Sequence, residues 1–454
     1  MDLIISIILA FSALVFGIFK GIFIGYILIL CLLIFSCTAW RRGFTWKKIS
    51  NMVFRSGRKA VIVLRIFILI GMITASWMVS GTVPGIVYYG IKLMNPNYFI
   101  LYAFLISAGV SFLLGTSFGT ISTVGVALMV MAKSGGISIN MVAGALMAGA
   151  YFGDRCSPMS SSANLIANLT DTNLYVNIRN MFKSGAIPFI LSTLFYWVIS
   201  IKKPLDFLGN SMTEEIGNSF IVNWMVLWPA IIILILSAFR VDVKISMLFS
   251  ILTASVAAIG IQGYSWVDIL RYLFFGFTLP MEDSLQGVLR GGGILSMWKP
   301  ALVVFVSCGL AGVLEDSGML GSAEKLFSRG SSRWKLFGYT TLTSIGTGAL
   351  GCSQTMAVVL THQLMRKSYQ QRKMEKYQLA LDIENTGIVI SALIPWNIAA
   401  MVPTTTLGVS STGFIPYSIY LYLVPLWTLL CYKIEEIKGK KGYLTAEEGV
   451  VNNG

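Results

Sequence analysis

Charge is what this sequence lacks. Of 454 residues only 12% are charged and 56% are hydrophobic, whereas an ordinary soluble domain is about 25% charged. So few charges cannot cover the surface of a soluble fold of this length, but in a hydrocarbon solvent they do not have to. Histidine occurs once, at His362, which excludes a histidine-based metal or catalytic cluster. The six cysteines (Cys31, Cys37, Cys156, Cys308, Cys352 and Cys431) form no CxxC pair and no metal spacing. No Walker sequence is present, which argues against an ATP-driven pump. With no catalytic cluster in sight, the chain does not read as an enzyme, and no cofactor is expected. No long polar linker interrupts it, so residues 1–454 read as a single membrane domain.

What the sequence does have is apolar runs. A transmembrane helix needs about 20 mostly apolar residues, and candidate spans lie near 3–19, 21–40, 60–80, 98–114, 138–153, 184–200, 220–238, 245–262, 299–315 and 414–432. Shorter or broken segments lie near 115–134, 336–365 and 377–407. The expected fold is therefore all-α and polytopic, with about ten spans and several half-spans. Residues 1–19 read as a retained first helix.

The net charge of +14 sits in short basic segments at 41–59, 316–335, 366–376 and the C-terminal tail. Such segments set topology, so all four are placed in the cytoplasm, along with the N-terminus. Residues 336–365 must then leave and return on one side. Thirty helical residues cover about 45 Å, and two crossings need about 60 Å. A hairpin turning within the membrane near Gly346, Gly348 and Gly351 is expected. If 316–335 is external, one long tilted helix is the alternative. The interruption Gly115-Thr-Ser-Phe-Gly-Thr120 is its counterpart in the first part of the chain. Paired interruptions are a sign of inverted repeats with broken or re-entrant helices. The expected division is 1–262 as first half, 263–298 as the loop between halves, and 299–454 as second half.

Acids are scarce enough for elimination. Most of the 20 fall at the termini, in loops or at span ends, which leaves Asp154, Asp382 and Glu384 beside apolar segments. A charge at such depth costs at least about 2.5–3.5 kcal/mol. Around Asp154, Pro158 breaks the helix and frees carbonyls. These carbonyls, the Asp154 carboxylate, the hydroxyls of Ser157, Ser160, Ser161 and Ser162, and the Asn164 amide are hard oxygen ligands of the kind Na⁺ takes. Asp154 and Asn164 are the candidate Na⁺ ligands. The alternative is that Asp154 only pairs with Arg155 and the serines cap a helix. In the second part Glu384, Asn385, Ser391 and Asn397 flank Gly387 and Pro395, a loose echo of the first motif, and Thr116 and Ser117 complete the candidate set.

At these motifs the chain resembles the NhaC family of Na⁺/H⁺ antiporters, within the larger ion-transporter superfamily of inverted-repeat carriers. The matching stretches are Gly115–Thr120, Gly149-Ala-Tyr-Phe-Gly-Asp-Arg-Cys-Ser-Pro158, Gly292-Gly-Ile-Leu-Ser-Met-Trp298 and Ser391-Ala-Leu-Ile-Pro-Trp-Asn397. The resemblance implies a multi-pass antiporter of a bacterial or archaeal plasma membrane, exchanging Na⁺ for H⁺ by alternating access. Two positions depart from the family pattern: Ser161 stands where it has an acid, and Asn385 where it often has one. Their loss makes the expected site less negative and keeps open a carrier of an organic anion or amino acid coupled to Na⁺ or H⁺. The expected partners are the lipid bilayer and a small ion or solute, with no nucleic acid and a homodimer left open.

Overall fold

A computed structural model describes residues 2–205, 211–239, 241–279, 289–319 and 332–437. Glu282, Asp283, Lys325, Arg329 and the tail lysines Lys438, Lys440 and Lys441 lie outside the described residues. Helices build the fold, and among the described residues no strand forms. In order they are α1 (Asp2–Phe19), α2 (Ile24–Arg41), α3 (Trp46–Val79), α4 (Thr82–Leu93), α5 (Phe99–Leu114), α6 (Ser117–Ser134), α7 (Ile139–Cys156), α8 (Ser161–Thr170) and α9 (Leu174–Lys202). There follow α10 (Ser211–Ser219), α11 (Trp228–Ala238), α12 (Val243–Gly260), α13 (Trp266–Phe275), α14 (Trp298–Asp316), α15 (Arg333–Gly351) and α16 (Gln354–Gln371). The last three are α17 over 376–391, α18 (Ile398–Leu407) and α19 (Ile419–Ile437). The chain is an all-α, polytopic membrane protein.

Six described helices are long and apolar enough to cross a bilayer alone, and two bent pairs raise this to eight. The expected spans near 3–19, 138–153 and 414–432 do not pass that test by themselves. For 138–153 the reason lies in packing. Helix α7 is buried almost throughout, so its surface meets protein and carries glycine, alanine and charge. A Cβ at Gly153 would come within 2.3 Å of the Phe112 backbone nitrogen. Ser107 and Ser111 of α5 donate to the carbonyls of Leu146 and Ala150 at 2.8 and 2.5 Å. Small residues let two membrane helices approach this closely.

The segment 41–59 is not the loop expected. Residues from Trp46 onward form the start of α3, whose 34 residues reach about 51 Å at 1.5 Å each, well beyond the hydrocarbon. Arg55 bonds both carboxylate oxygens of Asp316, at 2.8 and 3.0 Å, so this basic stretch and the end of α14 lie at one end of the molecule. The hairpin is also present, with its turn at Cys352-Ser353 rather than at the preceding glycines. Helix α15 runs unbroken through Gly346 and Gly348, and its arm and the next are 19 and 18 residues long. Arg333, at the start of the hairpin, and Tyr369, near its end, meet on the same carboxylate, Asp382. The hairpin therefore returns to the side it left, and its tip at Cys352 is wholly buried.

The backbone repeats itself at a constant interval. Helices α6 and α16 begin 237 positions apart (354 − 117), and α8 and α18 keep the same interval at both ends. Left-handed residues follow it as well: Gly81 with Gly318, Gly115 with Cys352, Gly136 with Lys373, and Asp171 with Gly408. So do the prolines inside α9 and α19, Pro188 and Pro425. Helix α2 packs against α14, and α12 packs against α3. Two copies of one helical arrangement are thus related by this interval, and the 263–298 stretch carries α13.

Candidate functional site

Helix α7 ends where the sequence requires it to. Pro158 cannot continue the helix, and Ser157 before it is extended, at φ −83° and ψ 136°, as a residue preceding proline prefers. The Ser157 hydroxyl accepts from the Met159 nitrogen at 3.1 Å, and Ser160 caps α8 by accepting from the Ala163 nitrogen at 3.2 Å. The Asn164 amide donates to the carbonyls of Pro158 and Ser160, at 3.2 and 2.7 Å. Asn164 thus satisfies the broken backbone with its amide nitrogen, and it is not among the cavity-lining residues described below.

Asp154, in the last turn of α7, is 6% exposed. One carboxylate oxygen accepts from Ser160 and Ser162, each at 3.1 Å. The other accepts from Ser117 at 3.2 Å and from Gln354 at 3.4 Å. Ser117 and Gln354 are related by the 237-residue interval (354 − 117) and open α6 and α16. The tips of two equivalent hairpins therefore meet on a single carboxylate. Arg155 is not its partner. It points the other way, wholly buried, donating to Tyr420 Oη at 2.9 Å, Met181 O at 3.1 Å, Ser184 Oγ at 2.7 Å and Asn385 Oδ1.

Asp154 faces a cavity of about 740 Å³. Its walls include Thr116, Ser117, Ser161, Ser162, Asp242, Lys244, Ser353, Gln354, Thr355, Ile398 and Ala399. These residues open α6, α8, α12, α16 and α18, so five helix N-termini border the space. Each brings partial positive charge. Of the first motif, Asp154, Ser161 and Ser162 line the cavity, and Ser157, Ser160 and Asn164 do not.

The second motif does other work. Ser391 donates to the Gly387 carbonyl within its own helix at 2.6 Å. Asn397 caps α18 by accepting from the Ala399 nitrogen at 3.0 Å and donates to the Gly348 carbonyl at 2.9 Å. Asn385 holds Arg155 and donates to Thr428 at 3.0 Å. Glu384 is fully buried, and neither carboxyl oxygen has a hydrogen-bond partner. Asp382, the third acid at depth, is bidentate with Arg333 at 2.6 and 2.9 Å and also takes the hydroxyls of Tyr369 and Tyr432.

The echo between the two motifs is out of register with the 237-residue interval. The interval pairs Pro158 with Pro395, Ser160 with Asn397 and Asp154 with Ser391. Gln354, Asp242 and Lys244 were not foreseen. Gln354 was reachable by counting forward from Ser117, but nothing local marks the other two.

Over residues 149–433 the chain matches the model of the Na⁺/H⁺ antiporter family. It is 26% identical to the Na⁺/H⁺ antiporter NhaC of Alkalihalophilus pseudofirmus OF4, over 93% of this chain and 92% of that protein. It is equally identical to the malate-2H⁺/Na⁺-lactate antiporter of Bacillus subtilis, over 86% and 85%. The arginine/ornithine antiporter ArcD of Halobacterium salinarum is also 26% identical, over 89% and 84%.

Proposed function

This chain belongs to the Na⁺/H⁺ antiporter family and is a secondary antiporter; we propose that it exchanges Na⁺ for H⁺ at Asp154. The exchange runs across a bacterial or archaeal plasma membrane, with the N-terminus cytoplasmic. The state of Asp154 carries the reading. It is a buried carboxylate on a cavity wall, hydrogen-bonded only by neutral donors while the adjacent arginine turns away. An intramembrane acid of this kind marks an ion pathway, and it can hold either a cation or a proton. Exchange at one carboxylate is one for one and moves no net charge. The hydroxyls of Ser117, Ser160 and Ser162 turn from donors to ligands by rotating when a cation replaces the proton.

The size of the cavity favours a second reading. About 740 Å³ is within the range of small-molecule sites, roughly 300–1,000 Å³, and exceeds what one ion fills. Helix N-termini around it suit a carboxylate, and Asp154 suits an ammonium group. A zwitterionic amino acid meets both, in keeping with the arginine/ornithine antiporter among the relatives.

Proteoliposomes decide between them. A Na⁺ pulse with an internal pH dye reads the first, and labelled amino and organic acids read the second. Asp154→Asn should abolish coupled transport in either case while the protein still inserts and folds. Normal transport by that variant sinks the assignment. Electrogenic exchange by the unmodified protein, indifferent to organic solutes, removes the single-carboxylate stoichiometry.

A further inference from the structure

Glu384 has no task in that scheme. It sits on the π-turn Glu384–Ile388 of α17, is wholly buried, does not line the cavity, and leaves both carboxyl oxygens without a partner. An ionised carboxylate in such a place is shut off from bulk solvent and meets no protein donor, and its burial is prohibitive. The neutral acid is the form this conformation accommodates. The charged groups acting on it come from α7: Arg155 most strongly, then Asp154, with the Cys156 thiol also near. On its own helix Asp382 is occupied by Arg333, Tyr369 and Tyr432. Tyr420 of α19 is taken up by Arg155, and His362 of α16 lies against Arg366.

Arg155 is also incompletely used. Its Nε is buried without a partner, and its other nitrogens meet neutral oxygens and the Cys156 sulfur. Two successive residues of α7 therefore face opposite ways, Asp154 into the cavity and Arg155 toward the Glu384–Asn385 pair.

We infer that Glu384 carries the exchanged proton at a site separate from the cation, with Arg155 as the group that links the two. The inference rests on Asp154 as the cation site and replaces competition at one carboxylate with charge compensation between two. With Glu384 protonated, Asp154 and Arg155 cancel. A cation on Asp154 leaves one uncompensated positive charge in the buried cluster. Release of the Glu384 proton removes it, and the carboxylate formed takes the unpaired side of Arg155. Protonation of Glu384 reverses the sequence and expels the cation. The exchange remains one for one.

The test is made on full-length protein in proteoliposomes with radioactive sodium as probe. Glu384→Gln is fixed in the neutral form that expels the cation, so Na⁺/Na⁺ counterflow should need at least about tenfold more Na⁺ and lose its pH dependence, while Na⁺-driven proton movement falls at least about tenfold. Asp154→Asn should lose counterflow at every Na⁺ concentration. Glu384→Gln that keeps proton movement, or whose counterflow keeps the wild-type Na⁺ affinity, overturns the inference. Asp154→Asn with full counterflow overturns the cavity reading instead. If wild type moves no Na⁺, or if Glu384→Gln fails to insert, the infrared C=O stretch of a protonated carboxyl decides on purified wild type and Glu384→Asp. A band that shifts in Glu384→Asp supports the assignment, and the lack of any such band overturns it.

Discussion

Residues 154–171 and 391–408 share a backbone and share almost no chemistry. Each segment closes a helix, turns at a proline, restarts on a capping side chain and ends on a left-handed residue. Pro158 answers to Pro395, Ser160 to Asn397 and Asp171 to Gly408. The charges do not follow. Where the first copy has Asp154 and Arg155, the second has Ser391 and Ala392. Where the second has Asp382 and Glu384, the first has Ala145 and Met147. Helix breaks are thus a property of the architecture, repeated because two hairpin tips must meet. The acid that one copy adds to the shared frame is a property of the function.

The sharpest way to break this comparison is to move the acid. Asp154→Asn should bring coupled transport to background. Adding Ser391→Asp should not restore it, although Ser391 is the equivalent position. The Ser391 side chain is bonded to the Gly387 carbonyl at 2.6 Å and does not line the cavity. Recovery of transport in the double variant would mean that the two positions exchange roles during the cycle.

The next largest effect is on stability and belongs to the second copy alone. Half-buried Arg333 and fully buried Asp382 form a bidentate pair joined by two tyrosine hydroxyls. The matching positions in the first copy are Pro96 and Ala145. Removing one partner of such a pair costs about 3–5 kcal/mol, whereas replacing both with apolar residues is often nearly neutral. Arg333→Met should therefore melt well below wild type in detergent, and Arg333→Met with Asp382→Leu should recover much of the loss. Equal melting of the single variant and wild type would show that the pair holds nothing together.

These contrasts also mark what was legible in the sequence. Helical class and a polytopic membrane fold followed from composition, and the burial of Asp154 from the scarcity of acids. The hairpin followed from topology arithmetic, but its turn did not. Glycines at 346 and 348 looked like breakers, yet a glycine inside a packed helix also serves close approach, and a Cβ on Gly348 would stand 3.0 Å from Ile394. The turn falls on Cys352, at φ 51°, a residue type with no preference for that conformation. The direction of Arg155 was equally hidden. Adjacent residues on a helix point about 100° apart, so being next to Asp154 in sequence argued against pairing as much as for it. The roles of Ser391 and Asn397 needed the helix ends themselves.

The two positions where the family resemblance leads one to expect acids separate in the same way. Ser161 is on the cavity wall, and Asn385 is on Arg155, outside it. Ser161→Asp should raise apparent Na⁺ affinity by up to about tenfold, equal to about 1.4 kcal/mol. Asn385→Asp should act through Arg155 instead: its charge takes over the compensation that ionised Glu384 supplies, so Na⁺ binding loses its coupling to proton release. Flux measured over a range of Na⁺ concentrations checks the first, and Na⁺-driven proton movement the second; full coupling in Asn385→Asp would show that Arg155 does not link the two sites.

The smallest expected effect concerns the ends of the two segments. Asp171 and Gly408 hold the same left-handed conformation, at φ 54° and 69°. Glycine adopts it freely, and a residue with a Cβ is strained there. Asp171 has one compensation, an ion pair with Lys376 at 2.5 Å, which holds its carboxyl below the usual range. A carboxyl lowered in the folded state adds stability above its unfolded pKa and loses it as pH falls through the folded value. Here both side chains are largely exposed, so water and salt screen the pair. Relief of backbone strain should outweigh it. Asp171→Gly should melt at or slightly above wild type at neutral pH, with a difference that barely changes between low and high salt. If the variant melts lower at low salt and the deficit vanishes at high salt, the ion pair is the stronger term, and the first copy keeps its acid at this turn for stability.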